Sequence, residues 1–401
     1  MKILFGAFIG LLTFGQAAWA AQTDEQKLAA ADNAFAFKLL QQITHSQPAA
    51  NIFISPYGAA TVLQMAANGA GGVTKAEMRQ VLGISALPAD SANAGAKAIA
   101  SSLNNLDTNI ILTTANALWY KSDFTVKPDF LDANRRFFDA TIAPINFADP
   151  HAADMINAWA KEKTRGRISQ IAEGMIDPVY SRLFLANAVY FKGKWSDPFK
   201  PEDTHNRPFH LRSGGQKDTP MMSQSKTFTY RHGTGYQAVR LPYEGENLAM
   251  YVFLPDTNSS PEKLLELMSG DRWQRVTKPG FIQKEGQVVL PKFKQEYSVE
   301  LKPVLTGMGM KTAFDMKKAD FTGIAPQLYI SAALQKTFVE VKEEGTEAAA
   351  VTGFAVAASG IEMPPPDPFR MIVDRPFLFL IEDSQSGVIL FMGVIFDPAT
   401  D

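Results

Sequence analysis

Residues 343–368 of the chain read Glu343-Glu344-Gly345-Thr346-Glu347-Ala348-Ala349-Ala350-Val351-Thr352-Gly353-Phe354-Ala355-Val356-Ala357-Ala358-Ser359-Gly360-Ile361-Glu362-Met363-Pro364-Pro365-Pro366-Asp367-Pro368. Between Glu347 and Glu362 there is no charged side chain, and the side chains are small apart from one Phe. The stretch follows an apolar run over residues 329–341 that is typical of a buried strand. A connection of this length without structure of its own is uncommon in a compact domain, and such segments are usually functional.

The pattern inside this stretch is typical of a strand. Residues 346, 348, 350, 352, 354, 356 and 358 would share one face of a strand, and Glu347 would lie on the other. Thr, Val and Phe tolerate a pleated conformation, and residues 364–366 bound the stretch because Pro cannot continue in a central strand. Because Ala also favours helix, a surface helix or a plain linker is the alternative. We interpret the stretch as a strand that is not yet part of a sheet.

Helices are predicted mainly in the first part of the chain and strands in the second. The apolar spacing predicts helices over residues 25–45, 59–70, 127–138 and 154–164. It predicts strands over residues 51–56, 110–120, 183–191, 238–241, 248–254, 288–293, 329–341, 376–381 and 388–396. This order predicts an α+β fold with large mixed sheets. Since no change in composition marks a boundary, we expect residues 21–401 to form a single domain.

The N-terminus has the pattern of a secretory signal peptide. Met1-Lys2 precede an apolar run from Ile3 to Phe14, and Ala18-Trp19-Ala20 matches an A-x-A cleavage site. The run is too short to span a bilayer, and the chain turns polar directly after it. A hydrophobic first helix or strand is the alternative. We expect cleavage after about Ala20, at the end of a signal peptide over residues 1–20, and a soluble protein in the periplasm of a bacterium or secreted from it.

The composition excludes several classes of function. The 401 residues include no Cys, so thiol catalysis and Cys-based zinc sites are absent. The formal net charge of −2 gives no global field that attracts nucleic acid or a membrane. The five His show no metal-binding spacing, and no G-x-S-x-G elbow of a hydrolase is present. We therefore expect no metal, no cofactor, no nucleic-acid or membrane partner and no enzymatic activity.

Several motifs, in the same order along the chain, resemble those of the serpin family. Val339-Glu340-Val341-Lys342 and the hinge residues that follow, Glu343, Glu344, Gly345, Thr346, Glu347, Ala348, Ala349 and Ala350, resemble the start of the serpin reactive-centre loop. Similar motifs lie at residues 51–56, 156–159 with 164–168, 187–195, 290–293, and 374–379 with 390–393. The resemblance implies the serpin fold, in which helices pack on large, mostly antiparallel or mixed sheets. It also implies an exposed reactive-centre loop over about residues 343–368.

The resemblance implies an inhibitor of serine proteases that acts as a suicide substrate. The protease attacks the loop and forms an acyl-enzyme. The cut loop then inserts into the main sheet as a new central strand and carries the protease with it, as a covalent complex. The residues at Thr346, Ala348 and Ala350 are small, as in inhibitory members. A non-inhibitory member, acting as an exported binding protein or chaperone, is the alternative.

The family's usual hinge count places the reactive bond between Ser359 and Gly360. Because this part of the chain looks longer than in many relatives, Ile361, Glu362 and Met363 are alternatives for the bait residue. The loop contains no Lys or Arg. We therefore expect elastase-like or subtilisin-like targets rather than trypsin-like proteases, with a papain-like cysteine protease as an alternative.

The resemblance also implies a sheet-opening region, formed by Ser55, Asn187, Gln335, Trp195 and Lys292. Lys292 and Glu343 match a family ion pair at the hinge, and Trp195 matches a buried residue where the loop first inserts. Two positions depart from the family pattern, because Gly58 replaces a usual Ser and Gln335 replaces a usual His. A Gln can still hydrogen-bond Asn187. We expect a monomer, with a polymer formed through loop and sheet as the alternative state.

Overall fold

The computed structural model describes residues 22–48, 50–104, 106–107, 109–346 and 367–398. Helices, numbered in chain order, are α1 (Asp24–Ser46), α2 (Pro56–Ala67), α3 (Gly72–Val81), α4 (Ala89–Leu103), α5 (Pro128–Phe137), α6 (Ala152–Lys163), α7 (Pro261–Leu267), α8 (Gly270–Arg272) and α9 (Leu301–Gly307). The predicted signal peptide and most of the predicted reactive-centre loop lie outside the described residues. None of the helices described is both long enough and apolar enough to cross a membrane.

Local sequence signals explain where the predicted helices begin. Thr23 caps α1 by accepting a hydrogen bond from the backbone N–H of Gln26, whose side chain accepts from the N–H of Thr23 in return. Ser55 caps α2 in the same way by accepting from the N–H of Gly58, and Pro56 occupies the first helical position. The four predicted helices are confirmed as α1, α2, α5 and α6, with ends that shift by a few residues.

Helices α3 and α4 are among those missing from the sequence-based prediction, each for a physical reason. Glycines at 71 and 72 are typical of a helix end, yet Gly72 adopts φ +46° and begins α3. The buried face of α4 consists largely of small residues, so its apolar periodicity is weak. One of them, Gly95, makes close packing possible, because a Cβ there would lie 2.7 Å from the Asp24 carbonyl oxygen on α1.

The main sheet has six strands and two directions of pairing. Its order is β10 (Phe293–Glu300), β11 (Ile330–Lys342), β12 (Gly345–Thr346), β4 (Leu183–Lys194), β2 (Ile111–Lys121) and β3 (Ala140–Ile145). β11 also pairs directly with β4, in parallel, from Ile330 to Phe338. The strands β11 and β4 are therefore paired directly along most of their length. The short strand β12 lies between them only at one end of the sheet.

The second sheet is formed mostly by the C-terminal half of the chain. Its order is β1 (Ile52–Ile54), β15 (Ile389–Ile395), β14 (Phe377–Asp383), β8 (Leu248–Pro255), β7 (Tyr236–Pro242), β6 (Gln216–Gly233), β9 (Ile282–Pro291) and β13 (Phe369–Ile372), and β5 (His205–His210) pairs with β6. The nine predicted strands are all confirmed. The 18-residue β6 is absent from the prediction because its sequence is largely polar and alternates only in part.

Two apolar cores lie on opposite faces of the main sheet. The larger one joins the helices α1–α4 and both sheets. The smaller one lies beneath α6, where Trp159 meets Trp119 of β2 edge-to-face at 5.0 Å. Helix α6 therefore covers the outer face of β2, β4 and β11. The α+β class and the packing of helices on large mixed sheets are as predicted.

Asp32 on α1 is a buried carboxyl group without a cationic partner among the described residues. Its side chain lies close to Tyr57 of α2, and only 6% of the residue is exposed. Burial raises the pKa of Asp32 to about 8, because the ionised form loses its hydration there.

We expect Asp32→Asn to remove a pH dependence of stability. The unfolded carboxyl titrates near 3.9, so the folded chain holds a proton that the unfolded chain releases, and the free energy of unfolding falls as pH rises from about 4 to 8. This loss is on the order of 3–5 kcal/mol. We would measure the free energy of unfolding by denaturant at pH 4.5 and pH 8. Relative to the parent, the variant should be more stable at pH 8 than at pH 4.5. The exposed control Asp218→Asn should show no such change between the two pH values. If Asp32→Asn differed from the parent by the same free energy of unfolding at both pH values, the carboxyl of Asp32 would not be buried in its neutral form.

Candidate functional site

Two hinge residues, Gly345 and Thr346, already lie inside the main sheet as strand β12. β12 runs antiparallel to both neighbours, with Thr346 opposite Val341 of β11 and Gly193 of β4. Thr346 has no exposed surface. The expectation of a strand held wholly outside the sheet is therefore wrong at Gly345 and Thr346. The last four predicted hinge residues, Glu347, Ala348, Ala349 and Ala350, lie outside the described part of the chain.

Gly345 is required by its conformation and by the space around it. Its φ of +151° lies in a region that L-residues with a side chain rarely adopt. A Cβ at this position would lie 2.2 Å from the Gly193 carbonyl oxygen and 2.6 Å from the Lys194 Cα. The turn that starts β12 therefore brings two backbones together at a distance that only glycine permits.

Tyr243 holds the end of the inserted hinge. Its hydroxyl lies 2.8 Å from Thr346 Oγ1, and the whole residue is buried. Burial raises the pKa of Tyr243, so the phenol stays protonated. Its ring stacks on Trp195 at 4.6 Å, and Trp195 Nε1 donates to the Lys342 carbonyl oxygen at 3.0 Å. Two aromatic residues from outside the hinge thus hold β12 against β11.

The turn before β12 is held by an ion pair and by backbone hydrogen bonds. Lys292 Nζ lies 2.9 Å from Glu343 Oε2, and Thr204 Oγ1 donates to Glu343 Oε1 at 2.9 Å. The backbone N–H of Phe199 donates to the Glu343 carbonyl oxygen, and that of Trp195 to the Glu344 carbonyl oxygen. Burial would raise the pKa of Glu343, but the hydrogen bonds and the charge of Lys292 lower it below its ordinary value. The carboxylate therefore stays ionised and paired.

A second cluster lies deeper in the sheet, where β11 and β4 pair directly. Gln335 Nε2 donates to Asn187 Oδ1 and to the Ser55 carbonyl oxygen, both at 2.7 Å. Gln335 Oε1 accepts from the backbone N–H of Ser55 at 2.9 Å. Neither Gln335 nor Asn187 has any exposed surface. The cluster, which we call the Gln335 clamp (Gln335, Asn187 and Ser55), joins the two central strands to the start of α2.

Gly58 explains how the clamp fits. A Cβ at Gly58 would lie 2.4 Å from both Asn187 Oδ1 and Nδ2, so a larger residue there would displace Asn187. Asn187 Nδ2 donates in turn to Asn116 Oδ1 of β2 at 2.8 Å. The two departures from the family pattern, Gly58 and Gln335, are therefore compatible in space. The hydrogen bond expected between Gln335 and Asn187 is present.

The structure brings the predicted sheet-opening residues into two groups. Trp195 and Lys292 lie at the hinge, and the other three form the Gln335 clamp. Tyr243, Thr204 and Asn116 complete these groups and were not predicted, because each is a single polar residue without a spacing that marks its role. The predicted bait residues Ser359, Gly360, Ile361, Glu362 and Met363 lie outside the described residues. Within the described ranges, no group of three or more His, Asp or Glu side chains is arranged to hold a metal.

Comparisons with known proteins agree with this arrangement. A family model described as "Serpin (serine protease inhibitor)" matches residues 30–398. The leukocyte elastase inhibitor of Homo sapiens is 35% identical over 391 residues, which cover 93% of this chain and 100% of the relative. The glia-derived nexin of Homo sapiens is 37% identical over 383 residues, which cover 90% and 91%. The native-state crystal structure of Tengpin, a thermophilic serpin, matches with a TM-score of 0.85 at 30% identity, covering 92% of this chain and 94% of that one.

Proposed function

The chain belongs to the serpin family, and on that premise we propose that it inhibits proteases as a suicide substrate. Its similar curated relatives include named inhibitors, so the family activity is inhibition rather than enzymatic turnover. In the proposed reaction the protease's nucleophilic oxygen or sulfur attacks the carbonyl carbon of the bait residue. The peptide bond to the next residue breaks, the new amine leaves with a proton, and the N-terminal part of the loop stays attached as an ester or thioester.

The observation that carries the proposal is the register of β12. β12 is antiparallel to both of its neighbours, and a continuation of its register would lead the loop between β11 and β4. If the register with β11 continued, residue 352 would lie opposite Gln335, and if the register with β4 continued, the same residue would lie opposite Asn187. The two registers are thus consistent with a single position of an inserted loop between β11 and β4. That path passes through the Gln335–Asn187 hydrogen bond, which has to break before insertion can proceed.

The energy of insertion supports the same mechanism. Roughly a dozen residues would gain ladder hydrogen bonds worth about 0.5–1.5 kcal/mol each. Burial of Phe354 and Val356 would add about 1.5–3 kcal/mol apiece. The sum is on the order of 10–20 kcal/mol before the cost of ordering the segment, which is comparable to the stability of a whole domain.

We assign elastase-like or subtilisin-like serine proteases as the targets, with papain-like cysteine proteases as the alternative. The absence of Lys and Arg from residues 343–368 supports this choice, because trypsin-like proteases need a basic residue at the cleaved bond. The similarity to a leukocyte elastase inhibitor agrees with it. The reactive bond is assigned to Ser359–Gly360, with Ile361, Glu362 and Met363 as alternative bait residues.

Incubation with pancreatic elastase or subtilisin, followed by a denaturing gel, tests the proposal. We expect a band near the summed mass of inhibitor and protease, and mass spectrometry of the released C-terminal peptide should identify the cleaved bond. Trypsin is the matched control and should give no such band. A clipped product without any complex, with every protease tried, would favour the non-inhibitory binding protein or chaperone instead.

Export of a monomeric protein completes the proposal. The N-terminal pattern over residues 1–20 supports a signal peptide. N-terminal sequencing of the protein from the producing cell should begin near Ala21, in the periplasmic or secreted fraction. A protein that keeps its first 20 residues in the cytoplasm would contradict export. Light scattering before and after warming separates the monomer from a polymer formed through loop and sheet.

A further inference from the structure

A cavity of about 610 Å³ lies where helices α1, α3, α7 and α9 meet. None of its lining residues belongs to the hinge or to the Gln335 clamp. Its volume falls within the roughly 300–1,000 Å³ that is usual for sites of small ligands. The cavity is therefore large enough for a ligand and separate from the inhibitory apparatus.

One wall of the cavity is a polar face of α1. Lys38, Gln41, Gln42 and His45 follow one another at the spacing of a single helix face, and all four line the cavity. Gln41 Nε2 donates to the Met268 carbonyl oxygen at 3.2 Å, just beyond the end of α7, and so joins the two walls. Among the described residues, neither Lys38 nor His45 forms an ion pair on this wall. The α1 wall thus offers one permanent positive charge and one imidazole.

The facing wall, on α7, is acidic. Glu262 and Glu266 lie one turn apart and both line the cavity. Glu262 pairs with Arg212, whereas Glu266 is exposed and has no cationic partner within the described ranges. Leu265 of α7 and Met308, directly after α9, are apolar residues that also line the cavity. The cavity therefore has an acidic wall on α7 and a basic wall on α1, with apolar residues in its lining.

We propose that this cavity binds a zwitterionic ligand with an apolar side chain, such as a free α-amino acid or a short peptide. Lys38 and Glu266 line the same cavity, and no ion pair joins these two side chains. A ligand that carries both charges satisfies both walls. Its carboxylate faces Lys38 and His45, its ammonium faces Glu266, and its side chain packs on Leu265 and Met308. A ligand with a single charge leaves one wall unpaired.

Isothermal titration calorimetry on the full-length protein at pH 7 tests this site with named probes. Leucine and leucyl-leucine carry both charges, whereas N-acetyl-leucine lacks the ammonium and leucinamide lacks the carboxylate. We expect saturable binding of at least one zwitterion. Each blocked compound should bind about tenfold more weakly, the effect of losing one charge-assisted contact. An absence of saturable heat, or equal binding of the blocked compounds, would overturn the proposal.

Two variants, each of which removes one charge, test whether the two walls bind the two charges of the ligand. Lys38→Met and Glu266→Gln should each weaken binding of the zwitterion about tenfold. Lys97→Met and Glu285→Gln remove the same kinds of exposed charge on α4 and β9, away from the cavity, and should leave binding unchanged. Melting curves of all four variants check that the fold is intact. Binding that survives both Lys38→Met and Glu266→Gln would also overturn the assignment, whatever the titration of the parent shows.

Discussion

Replacing Thr346 by Arg should convert the protein from an inhibitor into a substrate. Thr346 is fully buried between β11 and β4 and bonds Tyr243, so the position accepts a small side chain and no charge. An Arg there either stays outside the sheet or is buried unpaired, and the latter costs several kcal/mol. Because each 1.4 kcal/mol slows a step about tenfold, insertion should lose the competition with hydrolysis of the acyl-enzyme.

The ratio of complex to clipped product measures this effect. We expect the fraction of covalent complex to fall at least tenfold in Thr346→Arg, an estimate of about 1.4 kcal/mol or more, while cleavage of the loop continues. Thr346→Ser is the matched control, because it keeps the hydroxyl that meets Tyr243. A Thr346→Arg variant that still trapped protease as the parent does would show that insertion past this position is not needed for inhibition.

Replacing Gln335 by Leu should destabilise the native state more than any other single change in the clamp. Gln335 makes three hydrogen bonds and has no exposed surface. Leu leaves the Ser55 N–H and Asn187 Oδ1 without a partner, whereas the Ser55 carbonyl oxygen keeps the hydrogen bond from the Ala59 N–H at 3.1 Å. Since each buried polar group without a partner costs about 1–3 kcal/mol, we expect the free energy of unfolding to fall by about 2–6 kcal/mol. The same change removes the bond that an inserting strand has to break.

Denaturant unfolding of the native protein measures this loss. Thr337→Val, two residues along β11, is the matched control, because Thr337 donates only one hydrogen bond, to the Phe53 carbonyl oxygen at 2.5 Å. It should cost about 1–2 kcal/mol. The Gln335 variant should also lose inhibitory activity faster on warming, since less energy opens the sheet. Equal losses in the two variants would contradict a special role for the Gln335 clamp.

Much of the fold could be predicted because its elements carry strong local signals. The apolar runs that became β4, β11 and β14 are buried almost throughout, and the Ser55-Pro56 cap marks α2 in the sequence alone. Helix α4 and strand β6 escaped prediction because their burial depends on partners that lie far away in the sequence. For α4, the partner is α1, which it approaches at Gly95.

The candidate site could be predicted only in part, for a similar reason. The small hinge residues predicted a segment that can insert into the sheet, and the residue types at 335 and 187 predicted a hydrogen bond between Gln335 and Asn187. The insertion of Gly345 and Thr346 could not be predicted, since it depends on the space beside Gly193 and on a hydroxyl from Tyr243, more than 100 residues earlier in the chain. Small side chains indicate that the hinge can insert into the sheet, but they do not predict how many of its residues have inserted.

Thermal unfolding before and after a single cut between residues 351 and 363 tests most directly whether the main sheet gains stability from one more strand. We predict that the cut protein, with both fragments retained, unfolds on the order of 20 °C higher than the intact protein, because the freed segment fills the path between β11 and β4. An unchanged or lower unfolding temperature would mean that insertion releases no free energy. The trap would then have nothing to drive it.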